Sequence, residues 1–482
     1  MKKVIILSLA LALVGGMAYA NWCARDNVPA ATLLFPYITV DTDLAGLPDP
    51  TGQTTLTGIT NVSSNAVIVH ITVWDILSVP QVDFDEILSG YDVLQINWRD
   101  FLNGRFDMFD TAATAFTAAS PYTFDPFEFG PDGRAQLGGL TAPQNRTAIT
   151  TCGTVPPYGN RSDLAAQIRL LLTGALKAYT HDGCTAPGAL RTDLAKYGAT
   201  LTASPIFFYV TVDVVQRCNL LFPNALAYWD FGTTTGIATY NNVLIGDTIY
   251  VKPAPANLSE MFPAVHIEAS SFTQAPTTGE PALVSFYEEK VAAETYREPL
   301  GTAFAFRYGN SVADNTTSNV ILWKNFNEVG VPITIAGSIS DCGAYLYYAW
   351  DNDERSLSRV TAPISGLPTG GNDPNQFPFE TQKVPVNNSY FDLPGTYGWM
   401  LIVLPPSYPV TGFVDPTTNA TLLGRNYMGW AGMQFVYGTY SAGIEAATMA
   451  NYHCFGAGQV TTGFEQQLRS LNTYNGSLIT YR

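Results

Sequence analysis

Apolar residues in this chain recur at every second position, and that period admits strands and little else. From Ala66 to Trp74, the residues Val67, Val69, Ile71 and Val73 share one face of an extended chain, while His70 and Thr72 share the other. Leu94, Ile96 and Trp98 alternate with Val93, Gln95 and Asn97. Phe208, Val210, Val212 and Val214 alternate with Tyr209, Thr211 and Asp213, and Phe304, Phe306 and Tyr308 repeat the pattern. The run from Trp399 to Leu404 has the length of a strand. Turn chemistry separates the runs at Ser63-Ser64-Asn65, Ser89-Gly90, Asn224 and Gly246-Asp247.

Four short strands between Thr54 and Trp98 predict a mainly β fold of antiparallel, Ig-like β-sandwich domains. One small helical insertion interrupts it. Ser162 can cap a helix to about Ala178, with Leu164, Ile168, Leu171, Leu172 and Ala175 at helical spacing. A second short helix is expected from Ala189 to Tyr197, stopped by Gly198. The segment from Glu288 to Arg297 suits helix or strand, and Gly366 to Pro378 has loop composition. The expected organisation is 1–20 as a signal peptide, 21–270 as an N-terminal β-sandwich domain with an insertion at about 107–202, and 271–482 as a C-terminal β-rich domain.

The start of the chain carries an export pattern. Lys2 and Lys3 precede an apolar stretch from Val4 to Met17, and Ala18-Tyr19-Ala20 forms a cleavage site, so the mature chain is expected to begin at Asn21. Asn21 and Trp22 before Cys23 are not the small residues that a lipidated cysteine requires. No later run is long enough for a transmembrane helix. The expected destination is the periplasm, the cell surface or the medium. Six cysteines remain after cleavage, and an even number in an exported chain favours disulfides. Fifteen pairings are open to six cysteines. The expected set is Cys152–Cys184, Cys23–Cys218 and Cys342–Cys454.

Charged residues make up 13% of the chain, with a net charge of −16. That excludes nucleic acid as a partner, since phosphate binding needs a basic footprint. Standard catalytic and nucleotide-binding signatures are missing from the sequence. Four histidines exist, His70, His181, His266 and His453. His70 reads as a satisfied residue on the polar face of a strand, and His266 with Glu268 supplies two ligands where a closed zinc site needs about four. Acidic pairs stand at Asp41-x-Asp43 and Asp83-x-Asp85-Glu86. Asp351, Asp353 and Glu354, with Asn352 among them, form the best candidate for Ca²⁺, a cation that takes six to eight oxygens. Trp74, Trp98, Phe208 and Phe306 are expected in the core. Tyr345, Tyr347, Tyr348 and Trp350 lead into the acidic loop and could instead face a ligand.

Several phrases occur together in order: LLFPYITVD at Leu33–Asp41, YDVLQINWRDFLNG at Tyr91–Gly104, DVVQRC at Asp213–Cys218, VHIEAS at Val265–Ser270, REPLGTAFAFRYGN at Arg297–Asn310 and ETQKV at Glu380–Val384. With these the chain resembles a family of uncharacterised exported bacterial proteins, across most of its mature length. The resemblance implies a bacterial exported origin and a shared framework containing Cys152, Cys184 and Cys218; it implies no activity. The combined expectation is an exported non-enzymatic structural, adhesive or surface-assembly protein. Its partner would be itself, a cell-surface protein or a glycan. The alternative is a secreted carbohydrate-binding or carbohydrate-active protein.

Overall fold

The computed structural model describes residues 28–43, 45–76, 80–105, 127–129, 135–137, 162–172, 205–217, 221–223, 225–229, 236–253, 258–269, 297, 300–324, 346–353, 355–360, 380–387, 391, 393–404, 429–438 and 440–451. The first half carries β1 (Thr32–Val40), β2 (Thr54–Asn61), β3 (Val67–Trp74), β4 (Pro80–Leu88), β5 (Val93–Asn97), α1 (Trp98–Leu102), β6 (Phe127–Phe129), β7 (Ala135–Leu137), α2 (Ser162–Leu172), β8 (Ile206–Val215), β9 (Leu244–Lys252), β10 (Leu258–Pro263) and β11 (Val265–Ile267). The second half carries β12 (Gly301–Gly309), β13 (Thr316–Lys324), β14 (Leu346–Asp351), β15 (Ser356–Val360), β16 (Thr381–Pro385), β17 (Tyr397–Val403), β18 (Gly429–Tyr437), β19 (Tyr440–Glu445) and β20 (Ala447–Asn451).

The first half is a β-sandwich. A seven-stranded sheet, β11-β1-β8-β3-β4-β7-β6, faces a four-stranded sheet, β10-β9-β2-β5. All pairings are antiparallel except β4 with β7. The four strands from Thr54 onward divide between the layers: β2 and β5 pair in one sheet, β3 and β4 in the other. Val67, Val69, Ile71 and Val73 meet Phe208, Val210, Val212 and Val214 in the core between the layers. Trp98 and Phe101 of α1 and Ile168, Leu171 and Leu172 of α2 complete that core. Asn97 caps α1 by accepting from the Arg99 amide at 3.1 Å. Trp98 Nε1 donates to Thr57 Oγ1 at 3.1 Å, so the buried indole keeps a hydrogen bond.

The second half folds one nine-stranded sheet upon itself. Its path is β15-β14-β17-β12-β18-β13-β16, with β19 on β18 and β20 on β12. β12 and β18 share a single register pair, Gly301 with Gly429, and the sheet turns there. Phe304, Phe306, Met400 and Ile402 then face Val320, Leu322, Val384 and Met433 across a second sandwich core.

The two halves meet over the outer face of the seven-stranded sheet. Trp323 of β13 stands edge-on to Tyr209 of β8, with ring centroids 5.7 Å apart. Trp430 of β18 stands edge-on to Phe262 of β10, also at 5.7 Å. Gln434 Nε2 donates to both carboxylate oxygens of Glu260, at 2.5 and 2.7 Å, and Asn319 Nδ2 donates to Gln434 Oε1 at 2.8 Å. The Glu380 amide donates to the Ile76 carbonyl, so a backbone bond also crosses the seam.

Two expectations change. The face carrying His70 does not meet water: Tyr228 packs on the His70 ring, and every residue of β3 is buried. Gly246-Asp247 is not a turn but lies inside β9. A Cβ at Gly246 would stand 2.8 Å from Leu33 Cδ1 and 2.9 Å from the Gly58 carbonyl, so this glycine marks a close approach of layers. The described part of the predicted helix is Ser162–Leu172. The segments 189–197, 288–296 and 366–378, with residues 173–178 and Asn224, lie outside the described residues.

Phe262 lies on two glycines. A Cβ at Gly443 would come within 2.5–2.6 Å of the Phe262 ring and 3.0 Å of the Met261 carbonyl oxygen. The Gly443→Ala protein is expected to lose about 1–3 kcal/mol of stability by overpacking. Chemical denaturation of the two proteins side by side checks this, and equal midpoints would contradict the packing.

Candidate functional site

The densest chemistry among the described residues is a row of polar side chains crossing the seven-stranded sheet. Asp213 of β8 is in register with Thr32 of β1 and with His70 of β3, and His70 is in register with Asp85 of β4. One step along, Thr72 lies opposite Thr211 and Asp83. All these side chains are buried. Apolar rows close both ends. Ile68 and Val215 lie on one side; on the other, Trp74 stacks on Tyr209 at 5.7 Å and donates from Nε1 to Thr211 Oγ1 at 2.8 Å.

The row is wired by charge. His70 Nδ1 lies 2.8 Å from Asp85 Oδ1, and His70 Nε2 lies 3.5 Å from Asp83 Oδ2. Asp213 accepts from the Thr32 hydroxyl through Oδ1 and from the Tyr228 hydroxyl through Oδ2, the latter at 3.1 Å. Arg297 enters from the segment between the halves. Its Nε donates to Thr32 Oγ1 at 2.6 Å, its Nη2 lies 3.9 Å from Asp213 Oδ1, and its guanidinium sits 5.1 Å from the centre of the Trp229 ring. The Tyr228 ring packs 5.4 Å from the imidazole of His70.

Burial alone would push His70 down, since it penalises the charged ring. The charge and hydrogen bond of Asp85, with the charges of Asp83 and Asp213, outweigh it, and the imidazole ends above its usual value. Burial raises the carboxyl of Asp213, and Arg297, Thr32, His70 and Tyr228 pull it only part of the way back. Both groups therefore hold protons more tightly in the folded chain. The contribution of His70 is complete below its unfolded pKa of about 6.5 and is lost as pH rises through the raised folded value. Asp213 has the same sign, complete below about 3.9 and lost as pH climbs through its raised value. The melting temperature is expected to fall between mildly acidic and alkaline buffer, and His70→Gln should flatten that slope. Thermal melts from pH 5.5 to 8.5 read it; parallel slopes for both proteins would refute the assignment.

The partly buried amine of Lys383 at the seam is held below its usual value. Burial pushes the Lys383 amine down, while Glu260 and Asp41 draw it back up. No family model, curated protein or solved structure matches this chain. The site is therefore read from its own residues.

The acidic loop builds the β14–β15 hairpin. Asp351 Oδ1 accepts from the Asp353 and Arg355 amides, both at 2.9 Å, and Asp351 Oδ2 accepts from Arg355 Nε at 2.7 Å. Asp353 Oδ2 accepts from Arg355 Nη2 at 2.9 Å. Arg355 thus supplies the positive charge beside these carboxylates. Glu354 lies outside the described residues. Among the described residues no three His, Cys, Asp or Glu side chains are grouped to hold a metal ion. Asp41 and Asp43 are likewise turn builders, accepting from the amides of Gln53, Ala45 and Leu47. His266 Nε2 accepts from the Gly246 amide at 3.1 Å, which ties β11 to β9. All six cysteines, with His181 and His453, lie outside the described residues.

The aromatic cluster divides. Tyr347 faces the second-half core, Tyr345 lies outside the described residues, and Tyr348 and Trp350 lie on the outer face. There Trp350 stacks on Trp399 with centroids 3.7 Å apart and planes 7° apart, and Tyr348 lies 6.0 Å from Trp350. Arg307 follows Trp399 in register and donates from Nη1 to Asn352 at 3.3 Å. Trp74, Trp98, Phe208 and Phe306 are all buried.

Sequence reasoning placed His70 on a polar face but did not join it to Asp83, Asp85, Asp213, Thr32 and Arg297. One sign was available. The face carrying His70 and Thr72 also carries Ile68 and Trp74, which is unusual for a face turned to water.

Proposed function

We propose that this chain is an exported, non-enzymatic structural protein of a bacterial surface or extracellular assembly. One observation carries the reading: the described side chains best suited to acid–base work are sealed inside the fold and engaged with one another. His70, Asp83, Asp85, Asp213 and Arg297 meet across three strands and at the seam between halves, with no more than a few per cent of any of them exposed. A group that exchanges protons with a substrate must reach it. Export rests on Lys2, Lys3, the run Val4–Met17, the site at Ala18–Ala20 and the resemblance to uncharacterised exported proteins. Among the described residues no helix is long and apolar enough to cross a membrane. The disulfides Cys152–Cys184, Cys23–Cys218 and Cys342–Cys454 belong to the same proposal. Size exclusion with light scattering on the mature protein, from Asn21 onward, tests it. Oligomers or larger assemblies are the expected result, and a monomer at every concentration would overturn it.

A second reading, a secreted carbohydrate-binding protein, draws on the partly exposed row Tyr348, Trp350, Trp399 and Arg307. It is the weaker one, because Trp350 and Trp399 each spend a ring face on the other. Sugar stacking needs that face free. A glycan array on the mature protein and on its Trp399→Ala variant decides it: binding that the variant loses would support it.

A further inference from the structure

Among the described residues β19 has a single hydrogen-bonded neighbour, β18, and β10 packs across one of its faces at Gly443. Exposed edges are usually blunted by lysine, proline or an inward charge. The sequence of β19, Tyr440-Ser441-Ala442-Gly443-Ile444-Glu445, has no lysine or proline, and its one acid accepts from Trp430 Nε1 at 2.8 Å. Large apolar side chains stand out on one face of the hairpin: Tyr437 is 60% exposed, Tyr440 76% and Ile444 56%. Tyr437 and Tyr440 are in register, while Met433, opposite Ile444, is buried in the second-half core. The hairpin therefore projects an apolar strip beyond the core that supports its base.

We propose that β19 pairs antiparallel with β19 of a second copy of this chain, about a two-fold axis at Ala442. This rests on the assembly reading above and names its contact. The sequence of the strand selects both occupant and register. In a continuous sheet, opposite residues share a face, so the axis must pass through a residue. At Ala442, each exposed Tyr440 lies opposite Ile444 of the other copy, an aromatic–β-branched pair made twice. Ser441 then lies opposite Gly443 on the other face, the one on which Phe262 of β10 rests in each copy. Glu445 falls outside the paired stretch. An axis at Gly443 would set Glu445 nearer the facing chain, opposite Ser441, and would leave Tyr440 and Ile444 without their mutual contact. Electrostatics argues in the same direction. A chain of net charge −16 repels its own copy over most of its surface. β19 offers an uncharged strip whose one carboxylate is already hydrogen-bonded, and closed two-fold pairing is the commonest form of self-association.

Two readouts on the full mature protein test this. Ile444→Lys should weaken self-association about tenfold or more, because both Tyr440–Ile444 pairs go together, and should leave the melting temperature unchanged at a dilution where the parent is also dissociated. Ala442→Cys should yield, on mild oxidation, a disulfide-linked dimer whose peptide map joins position 442 to itself. An assembly that persists unaltered in Ile444→Lys, or an Ala442→Cys protein that forms no such link, overturns the β19 contact and leaves the assembly reading standing. A monomeric parent protein at all concentrations overturns both.

Discussion

Replacing Asp213 with alanine is expected to destabilise the fold by about 3–5 kcal/mol, the usual cost of breaking a buried ion pair by removing one partner. Asp213 is the junction of the buried row. Its carboxylate takes hydrogen bonds from Thr32 and Tyr228, faces the guanidinium of Arg297, and adds to the field that holds the proton on His70. Alanine would leave Arg297 in the interior without the carboxylate it faces. The cost comes from removing a buried carboxylate that Arg297, Thr32 and Tyr228 all face, rather than from any intrinsic strength of the pair. The double variant Asp213→Leu with Arg297→Met should accordingly recover a large part of the loss. Urea denaturation of the parent, the single variant and the double variant measures both. A single variant within about 1 kcal/mol of the parent would show that the row contributes little.

Trp323→Ala is expected to cost about 3–5 kcal/mol, the range for deleting a large aromatic from a packed interior. Trp323 is fully buried and stands against Tyr209, which itself stacks on Trp74. It lies in a core shared by residues of both halves, so its loss should also loosen the seam. The parent should unfold in one transition. The variant should unfold earlier, and its two halves should separate in the melt. Trp399→Ala is the control, because Trp399 is only partly buried and its indole stacks outside the main cores. Equal midpoints for the two tryptophan variants would contradict the seam described above.

Much of the fold was legible because strand period is a local property. Val67 to Val73 and Phe208 to Val214 declare which residues share a face, and both sets fill the first core. Turn residues at Ser63–Asn65 and Ser89–Gly90 sit where β2, β3, β4 and β5 part. Gly246 misled because a glycine can serve a bend or a close approach, and only the neighbouring layer shows which. The buried row was hidden for a different reason. Whether the face of His70 meets water or protein depends on Tyr228, Trp229 and Arg297, which lie more than a hundred residues further along and have no period linking them to β3. At the acidic loop, the composition of Asp351–Glu354 suits a cation, but the cation the structure supplies is the next residue, Arg355. That β19 pairs only with β18 among the described residues is a property of the whole sheet, and no single strand announces it.

The bond from Arg297 to Thr32 spans 265 residues of chain. A polypeptide emerging from the ribosome, or threaded through a translocation channel, cannot close the buried row until Arg297 has arrived. Before that, β3, β4 and β8 would have to bring Asp83, Asp85 and Asp213 together around His70 without the guanidinium of Arg297. Contacts of such long sequence separation form late. For a chain proposed to leave the cytoplasm unfolded, this would act as a clock: the N-terminal layers cannot lock early, and the fold completes only when the second half is on the same side of the membrane.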